Sequence, residues 1–412
     1  MADAGSETSA ARIAATLRKL SRPPYTGDGP GITRHAYTEE YAATLGYFER
    51  AFGELGYEVR YDPVGTLVAS NVRPGERCLG LGSHCDANRN GGPYDGTLGV
   101  VAALEVCRLA RERGLDLPLR VISFLEEEAS GFGQALLGSS IMLGLVSDEE
   151  LESYRDEQGV PFPEAARRAG FDPGRHGESI RALDGMVGWI EMHIEQGRVL
   201  WDSGERLGVV EAIAGFVHAD LEVRGRADHA GATPMGFRSD AGLTAAEVVV
   251  ELERLTLAAG PDVVGTVGEL DLDPGLINVI PGRARLSLDV RSVSGAHAAV
   301  AAGAAGFARE RGLARGQEVS YAERRAHSPT PMDAGVVDAL ARAVEATGAP
   351  WRRMSSGAAH DTMNVARAVP SAMLFVPCRE GISHAPEEHA EPADAALAAE
   401  VVLAASRDLL GG

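Results

Sequence analysis

The chain has 412 residues of which 45% are apolar, more than one hydrophobic core usually supports, so two domains are expected and each has enough apolar content to fold. Acidic residues outnumber basic ones 59 to 39, and a net charge of −20 repels phosphate backbones and anionic lipid, so neither nucleic acid nor a membrane is an expected partner. No run of about 18 apolar residues occurs, and the first residues (MADAGSETSAARIAATLRKL) lack the basic start and apolar core of an export signal, which makes the cytoplasm the expected location.

The first two hundred residues alternate short apolar runs with helical patterns, the βαβ rhythm of a mostly parallel sheet. Strands are predicted at 78–83, 119–125 and 186–192, with a crossover helix at 96–113 that Pro118 helps to end. From Val217 the pattern changes. VHADLEVR places Val217, Ala219, Leu221 and Val223 on one face and His218, Asp220, Glu222 and Arg224 on the other, a strand with one wet side. A helix at 239–258, a strand at 263–270, an alternating strand at 284–291, an Ala-rich helix and a strand near 317–324 follow, in the β-α-β-β-α-β order of a ferredoxin-like domain. After Pro329 come a helix, the apolar run 372–376 and a final helix, which reads as the first domain resumed. The expected fold class is therefore α/β: a catalytic domain over 1–216 and 328–412, with a small domain inserted at 217–327. Domain clefts are common ligand sites.

Composition narrows the chemistry. Cys78, Cys85, Cys107 and Cys378 are scattered without a CxxC pair, which suits reduced thiols. Lys19 is the only lysine, so Schiff-base, P-loop and Glu-Lys-Cys amidase mechanisms lack the lysine each needs. No GxSxG elbow and no GxxxxGK[ST] loop occurs.

Four segments carry polar residues to the C-terminal ends of the predicted strands, where open α/β sheets bind ligands: GSHCDANRNGGPYDG, FLEEEASGFG, IEMHIEQG and GISHAPEE. His84 and Asp86 are two apart and share one side of an extended segment, so Asp86 can orient the imidazole. Three consecutive carboxylates, Glu126, Glu127 and Glu128, repel one another unless cations sit among them. A lone histidine at a strand end is usually an ordinary hydrogen-bonded residue, and an acidic triplet is usually a solvated turn. Four segments delivering His, Asp and Glu to one sheet edge point instead to hard or borderline divalent ions, with an Asp able to bridge two of them.

Over nearly its whole length the chain resembles the amidase, hydantoinase and carbamoylase branch of the M20 metallopeptidase-like superfamily. That branch includes N-carbamoyl-L-amino-acid hydrolases, allantoate amidohydrolases and β-ureidopropionases. The resemblance rests on SHCDANRNGGPYDG, EEASGFG, MHIEQG, ADHAGATPM, INVIPG, SGAAHD and SHAPEE, in order. It implies one divalent ion on His84, Asp95 and His193 and a second on Asp95, Glu128 and His384, with zinc named first and manganese, cobalt or nickel also suited. It implies Glu127 as general base and His229, in the lid, as the residue that stabilises the oxyanion. Gln196, Asn278, Arg291 and Gly357 are implied substrate contacts, Arg291 as a carboxylate clamp, and a homodimer through the lid domain is implied as well. His360 and Asp361 can be structural or can support the ligands.

The implied reaction cleaves the C–N bond of an N-carbamoyl-L-amino acid or similar ureido acid, releasing ammonia, carbon dioxide and the amino acid. Allantoate or ureidoglycolate-type substrates are the nearest alternative. An M20 aminoacylase or dipeptidase is a further one, against which His193 stands, since peptidase branches tend to carry a carboxylate there. A non-catalytic binding protein is disfavoured because every ligand and Glu127 are present. A barrel hydantoinase is disfavoured because Lys19 lies outside any ligand motif and the inserted segment does not fit eight β/α repeats. The chain departs from common family wording at Ala129-Ser130-Gly131-Phe132, where many members have Gly-Ser-Arg-Phe, and at Cys85 and Ala87, which leaves the particular ureido substrate open.

Overall fold

The computed structural model describes residues 4–411, which form a mixed α/β structure of two compact units. The first runs up to Glu211 and includes Met332–Met354 and the chain from Ala359 onward. The second is Ala212–Pro331 with Ser355–Ala358.

The first unit is organised on one sheet. Cys78–His84 lies beside Leu119–Phe124 on one side and Met186–Ile194 on the other, and Ser371–Val376 follows next to Met186–Ile194, all four running parallel. Antiparallel strands flank them: Leu67–Ser70 and then Glu58–Tyr61 at one side, Leu207–Ile213 at the other. Cys78–His84, Leu119–Phe124 and Ser371–Val376 are buried at every position, which is why they read as continuous apolar or small-residue runs rather than alternating ones. The helix Thr97–Glu112 packs directly against this sheet. Its Gly99 permits that approach, since a Cβ there would lie 2.2 Å from the Met192 carbonyl oxygen. Helices Ala4–Leu20, Ala334–Glu345 and Pro392–Leu410 complete the layer, and the segment Leu137–Leu183 adds short helices that no regular apolar period announced.

In the second unit, Gly215–Arg224, Ala241–Ala259, Val263–Thr266, Arg283–Ser292, His297–Ala314 and Glu318–His327 follow in order. The strands pair antiparallel in the sheet order fourth, first, third, second. Val217, Ala219, Leu221 and Val223 turn toward two clusters formed with the two helices, while the intervening residues stay partly or fully exposed. One element differs from expectation. The strand predicted over 263–270 is two strands, Val263–Thr266 and Leu270–Asp273, each antiparallel to part of Arg283–Ser292. The edge breaks where Val267 packs against both apolar clusters. Among the described residues, no helix is long and apolar enough to cross a membrane.

Candidate metal centre

In the first unit the parallel strands deliver the predicted ligands to one edge. His84 ends its strand, His193 is the penultimate residue of its own, and Glu126–Glu128 follow Phe124. His384 lies in the loop after Ser371–Val376, and Asp95 precedes the helix Thr97–Glu112. Several of these residues, and neighbours, adopt left-handed backbone: Glu126 at φ 52°, Ala129 at 62°, Gln196 at 58° and His384 at 56°. Non-glycine residues pay for that conformation, and such strain gathers where side chains must be aimed.

Asp95 is the hub. Its Oδ1 lies 3.2 Å from His193 Nε2 and 3.8 Å from His84 Nε2, and its Oδ2 lies 3.0 Å from His384 Nε2. Glu128 Oε2 is 3.5 Å from the same His384 nitrogen. Two donor groups result, His84 with Asp95 and His193, and Asp95 with Glu128 and His384, the atoms of each within 4.8 Å of one another. His193 Nδ1 is 2.9 Å from the Ile194 carbonyl oxygen and its Nε2 accepts from the Gly96 amide at 3.2 Å, which places the proton on Nδ1 and the lone pair toward Asp95. His84 Nδ1 likewise faces the Asp86 carbonyl oxygen at 3.3 Å. Asp86 itself is buried, with Oδ1 3.4 Å from His84 Nδ1 and Oδ2 accepting from the Glu128 amide at 3.0 Å. Glu127 Oε2 sits 3.6 Å from His84 Nε2.

A third group, Glu191 with His193 and His360, is equally compact. Glu191, however, accepts from the Ser83 hydroxyl on one oxygen and from the Thr362 amide and hydroxyl on the other, so most of its acceptor positions are taken. His360 packs edge-on to His193, ring centroids 4.5 Å apart. Burial, with the adjacent His193 next in effect, holds His360 well below its ordinary pKa.

The electrostatics ask for cations. Burial, reinforced by Glu128 and Asp361, holds the Glu127 carboxyl well above the usual range despite His84. Burial together with Asp95 pushes Glu128 up to about 7, and burial with Asp86 pushes Glu126 to about 8. Asp95 goes the other way: burial opposes its charge, but the adjoining His193 and His384 imidazoles hold it well below the ordinary value. Among the described residues, no Lys or Arg forms an ion pair with Asp95, Glu127 or Glu128. Crowded buried carboxylates with aimed imidazole lone pairs are the donor set that hard or borderline divalent ions fit.

The remaining predicted residues are placed as follows. Gln196 donates to Asp95 Oδ2 at 2.7 Å. In the second unit, His229 is exposed, in a two-residue strand paired with Val279 and Ile280. Its Nδ1 accepts from the Gly231 and Ala232 amides at 3.1 and 3.2 Å, which leaves the proton on Nε2 as an outward donor. Asn278 is exposed, and its carbonyl accepts from Ala230 at 3.0 Å. Arg291 points Nε and Nη2 at Asp289 and donates from Nη1 to the Gly357 carbonyl at 2.9 Å.

Sequence reasoning gave no role to Glu388, which is 3% exposed and braces the centre. It accepts from the Tyr94 and Asp95 amides and from the Ser383 hydroxyl, tying the loop that carries Asp95 to the one that carries His384. The adjacent acidic pair in SHAPEE was the only signal. Gly96 is equally specific: at φ 57° a Cβ would stand 2.2 Å from the His84 ring. Gly96→Ala is expected to cost about 1 kcal/mol or more of stability from the backbone alone and to lower bound metal by displacing His84. Unchanged metal content and melting temperature would show that the ring yields freely.

Known proteins match this chain over nearly its whole length. A model of peptidase family M20/M25/M40 matches residues 81–408. The chain is 37% identical to an N-carbamoyl-L-amino-acid amidohydrolase of Paenarthrobacter aurescens, over 96% of each chain. It is 32% identical to the allantoate amidohydrolase of Bacillus subtilis, over 88% of this chain and 89% of that one. A hydantoinase/carbamoylase family amidase from Burkholderia ambifaria superposes with a TM-score of 0.85 at 31% identity, covering 98% of both chains.

Proposed function

The chain belongs to peptidase family M20/M25/M40, and on that premise we propose that it is a metal-dependent amidohydrolase that cleaves the C–N bond of an N-carbamoyl-L-amino acid or a similar ureido acid. The single observation that carries the reading is the Asp95 carboxylate, shared between His84 and His193 on one oxygen and His384 on the other. One divalent ion is assigned to His84, Asp95 and His193 and a second to Asp95, Glu128 and His384, zinc first and manganese, cobalt or nickel as alternatives. Bound there, the ions would supply Lewis acidity and favour ionisation of water at neutral pH.

Glu127 is the proton carrier. It takes a proton from the attacking water on Oε2 while the water oxygen bonds to the ureido carbon, and returns it to the nitrogen as the C–N bond breaks. The resulting carbamic acid falls apart to carbon dioxide and ammonia, and the amino acid is freed. His229 donates Nε2–H to the carbonyl oxygen, a role supported by its fixed tautomer. His229→Ala is expected to leave metal content unchanged and lower kcat by about 100-fold; full activity in that variant would return His229 to a purely structural part. Gln196, Asn278, Arg291 and Gly357 are assigned to substrate binding. Arg291 would clamp the amino-acid carboxylate with the donors that Asp289 leaves free.

The inserted segment 217–327 serves as a ferredoxin-like lid and dimerisation domain between catalytic portions 1–216 and 328–412. Its strand order supports the first part. Leu243, Val250 and Leu257, spaced by seven on one exposed stripe of Ala241–Ala259, and the exposed edge strand Leu270–Asp273 support a homodimer. Four buried free thiols fit a reducing, cytoplasmic setting.

The reading is tested by ammonia release from metal-reconstituted protein given N-carbamoyl-L-amino acids and allantoate, beside N-acetyl amino acids and dipeptides. Ammonia from ureido substrates alone is the expected result. Cleavage of acyl or peptide bonds alone would keep the metal centre and discard the ureido assignment.

A further inference from the structure

The two donor groups are not equally enclosed. His84, Asp95 and His193 are all buried, whereas in the second group Glu128 is partly exposed and the His384 side chain is 52% exposed. The first group is also the more heavily braced. His84 and His193 are each fixed at Nδ1 by a carbonyl oxygen, and Asp95 Oδ2 accepts from Gln196 and from the Ser383 hydroxyl. The Glu128 carboxylate, by contrast, receives a single hydrogen bond among the described residues: Asn88 Nδ2 donates to Oε2 at 2.7 Å. That same oxygen stands 3.5 Å from His384 Nε2.

Asn88 sits on a strand that is itself held. Ala87–Gly91 pairs antiparallel with Ile32–Arg34, the Asn90 amide donates to the Thr33 hydroxyl at 2.9 Å, and the Ser130 hydroxyl donates to the Ala87 carbonyl at 3.4 Å. Residues two apart in an extended segment share a side, and Asp86 and Asn88 both reach Glu128. Asp86 Oδ2 accepts from its amide at 3.0 Å while Asn88 donates to its carboxylate, so one segment grips this residue at the backbone and at the tip of the side chain. Chemistry fixes which way the Asn88 amide points: an ionised carboxylate only accepts, so the NH2 group and not Oδ1 faces Oε2. A carboxylate oxygen that takes one N–H keeps a lone pair for an ion.

We infer that Asn88 is a positioning residue for one ion of the pair: its hydrogen bond holds Glu128 in the orientation that the Asp95, Glu128 and His384 group needs, and it does not serve the His84, Asp95 and His193 group. The terminal torsion of a glutamate is broad and ill-defined, so without the Asn88 donor the incoming ion would itself have to order the carboxylate. Hydrogen bonds of this kind, made to a ligand rather than to the metal, typically change affinity by about 10- to 100-fold. The inference rests on the two-ion reading above, but not on which C–N bond the centre cleaves.

Zinc titration of chelator-stripped protein, in competition with a chromophoric chelator, reads both affinities without any substrate. Asn88 is partly exposed and its side chain makes one hydrogen bond, so Asn88→Ala should fold. It is expected to weaken one zinc by about tenfold or more, with the other zinc and the melting temperature unchanged. In a His384→Ala background, where the second group is already broken, adding Asn88→Ala should leave the remaining zinc affinity as it was. Arg89→Gln, an exposed neighbour paired with Glu157, controls for a loosened strand and should keep both wild-type affinities. Wild-type affinities at both sites in Asn88→Ala, equal losses at both, a further loss in the His384→Ala background, or the same loss in Arg89→Gln each overturn the inference while leaving the two-ion reading intact. Wild-type protein that binds only one zinc overturns that reading, and the inference with it.

Discussion

Glu127→Gln is expected to keep both metal ions and lose about two to four orders of magnitude in turnover. The carboxamide has nearly the shape of the carboxylate, so packing at this position, 8% exposed, should not change. What disappears is a group able to accept a proton from water and hand it to the departing nitrogen. Glu127 has His84 Nε2 at 3.6 Å but is absent from both compact donor groups, so the proposed ion sites retain all their ligands. Elemental analysis alongside a kcat measurement separates the outcomes. Wild-type turnover with full metal content would remove Glu127 from the reaction, whereas lost metal would make it a ligand.

Asp95→Asn should act earlier, on the ions themselves. A carboxamide offers one acceptor oxygen where the carboxylate offers two, and its NH2 group would face either the His84 and His193 pair or His384. Because this side chain belongs to both donor groups, the change is expected to weaken both ions, by more than about 100-fold in affinity, and to abolish activity. The loop should stay in place, since Glu388 binds the backbone amide at 95 rather than the side chain. Metal analysis after dialysis, with circular dichroism as the folding control, checks this. Two ions retained per chain would refute the bridging role.

Much of this architecture was legible from residue order because the relevant forces are local or periodic. Strands buried on both sides are apolar or small at most positions, so Cys78–His84 and Leu119–Phe124 stand out despite His84 and Arg120. The second unit's half-buried strands show the alternation that a single wet face imposes. The residue types at the sheet edge were legible too, since His84, Glu126–Glu128 and His193 stand at or just beyond the ends of predicted strands. Less visible were the short helices between Leu137 and Leu183 and the break at Val267, where packing against distant side chains outweighs any local period.

The sequence by itself determined the α/β class and the residue types at the sheet edge, because composition and periodicity depend only on neighbours along the chain. Tertiary structure alone decided which oxygen of Asp95 faces which histidine, that Glu191 is committed to Ser83 and Thr362, and that Glu388 ties two loops together. It alone left Arg120 Nη2 buried without a hydrogen-bond partner among the described residues. These facts depend on contacts between segments up to some three hundred residues apart, for example Asp95 and Glu388, 293 positions apart, and no local pattern records a distance in space.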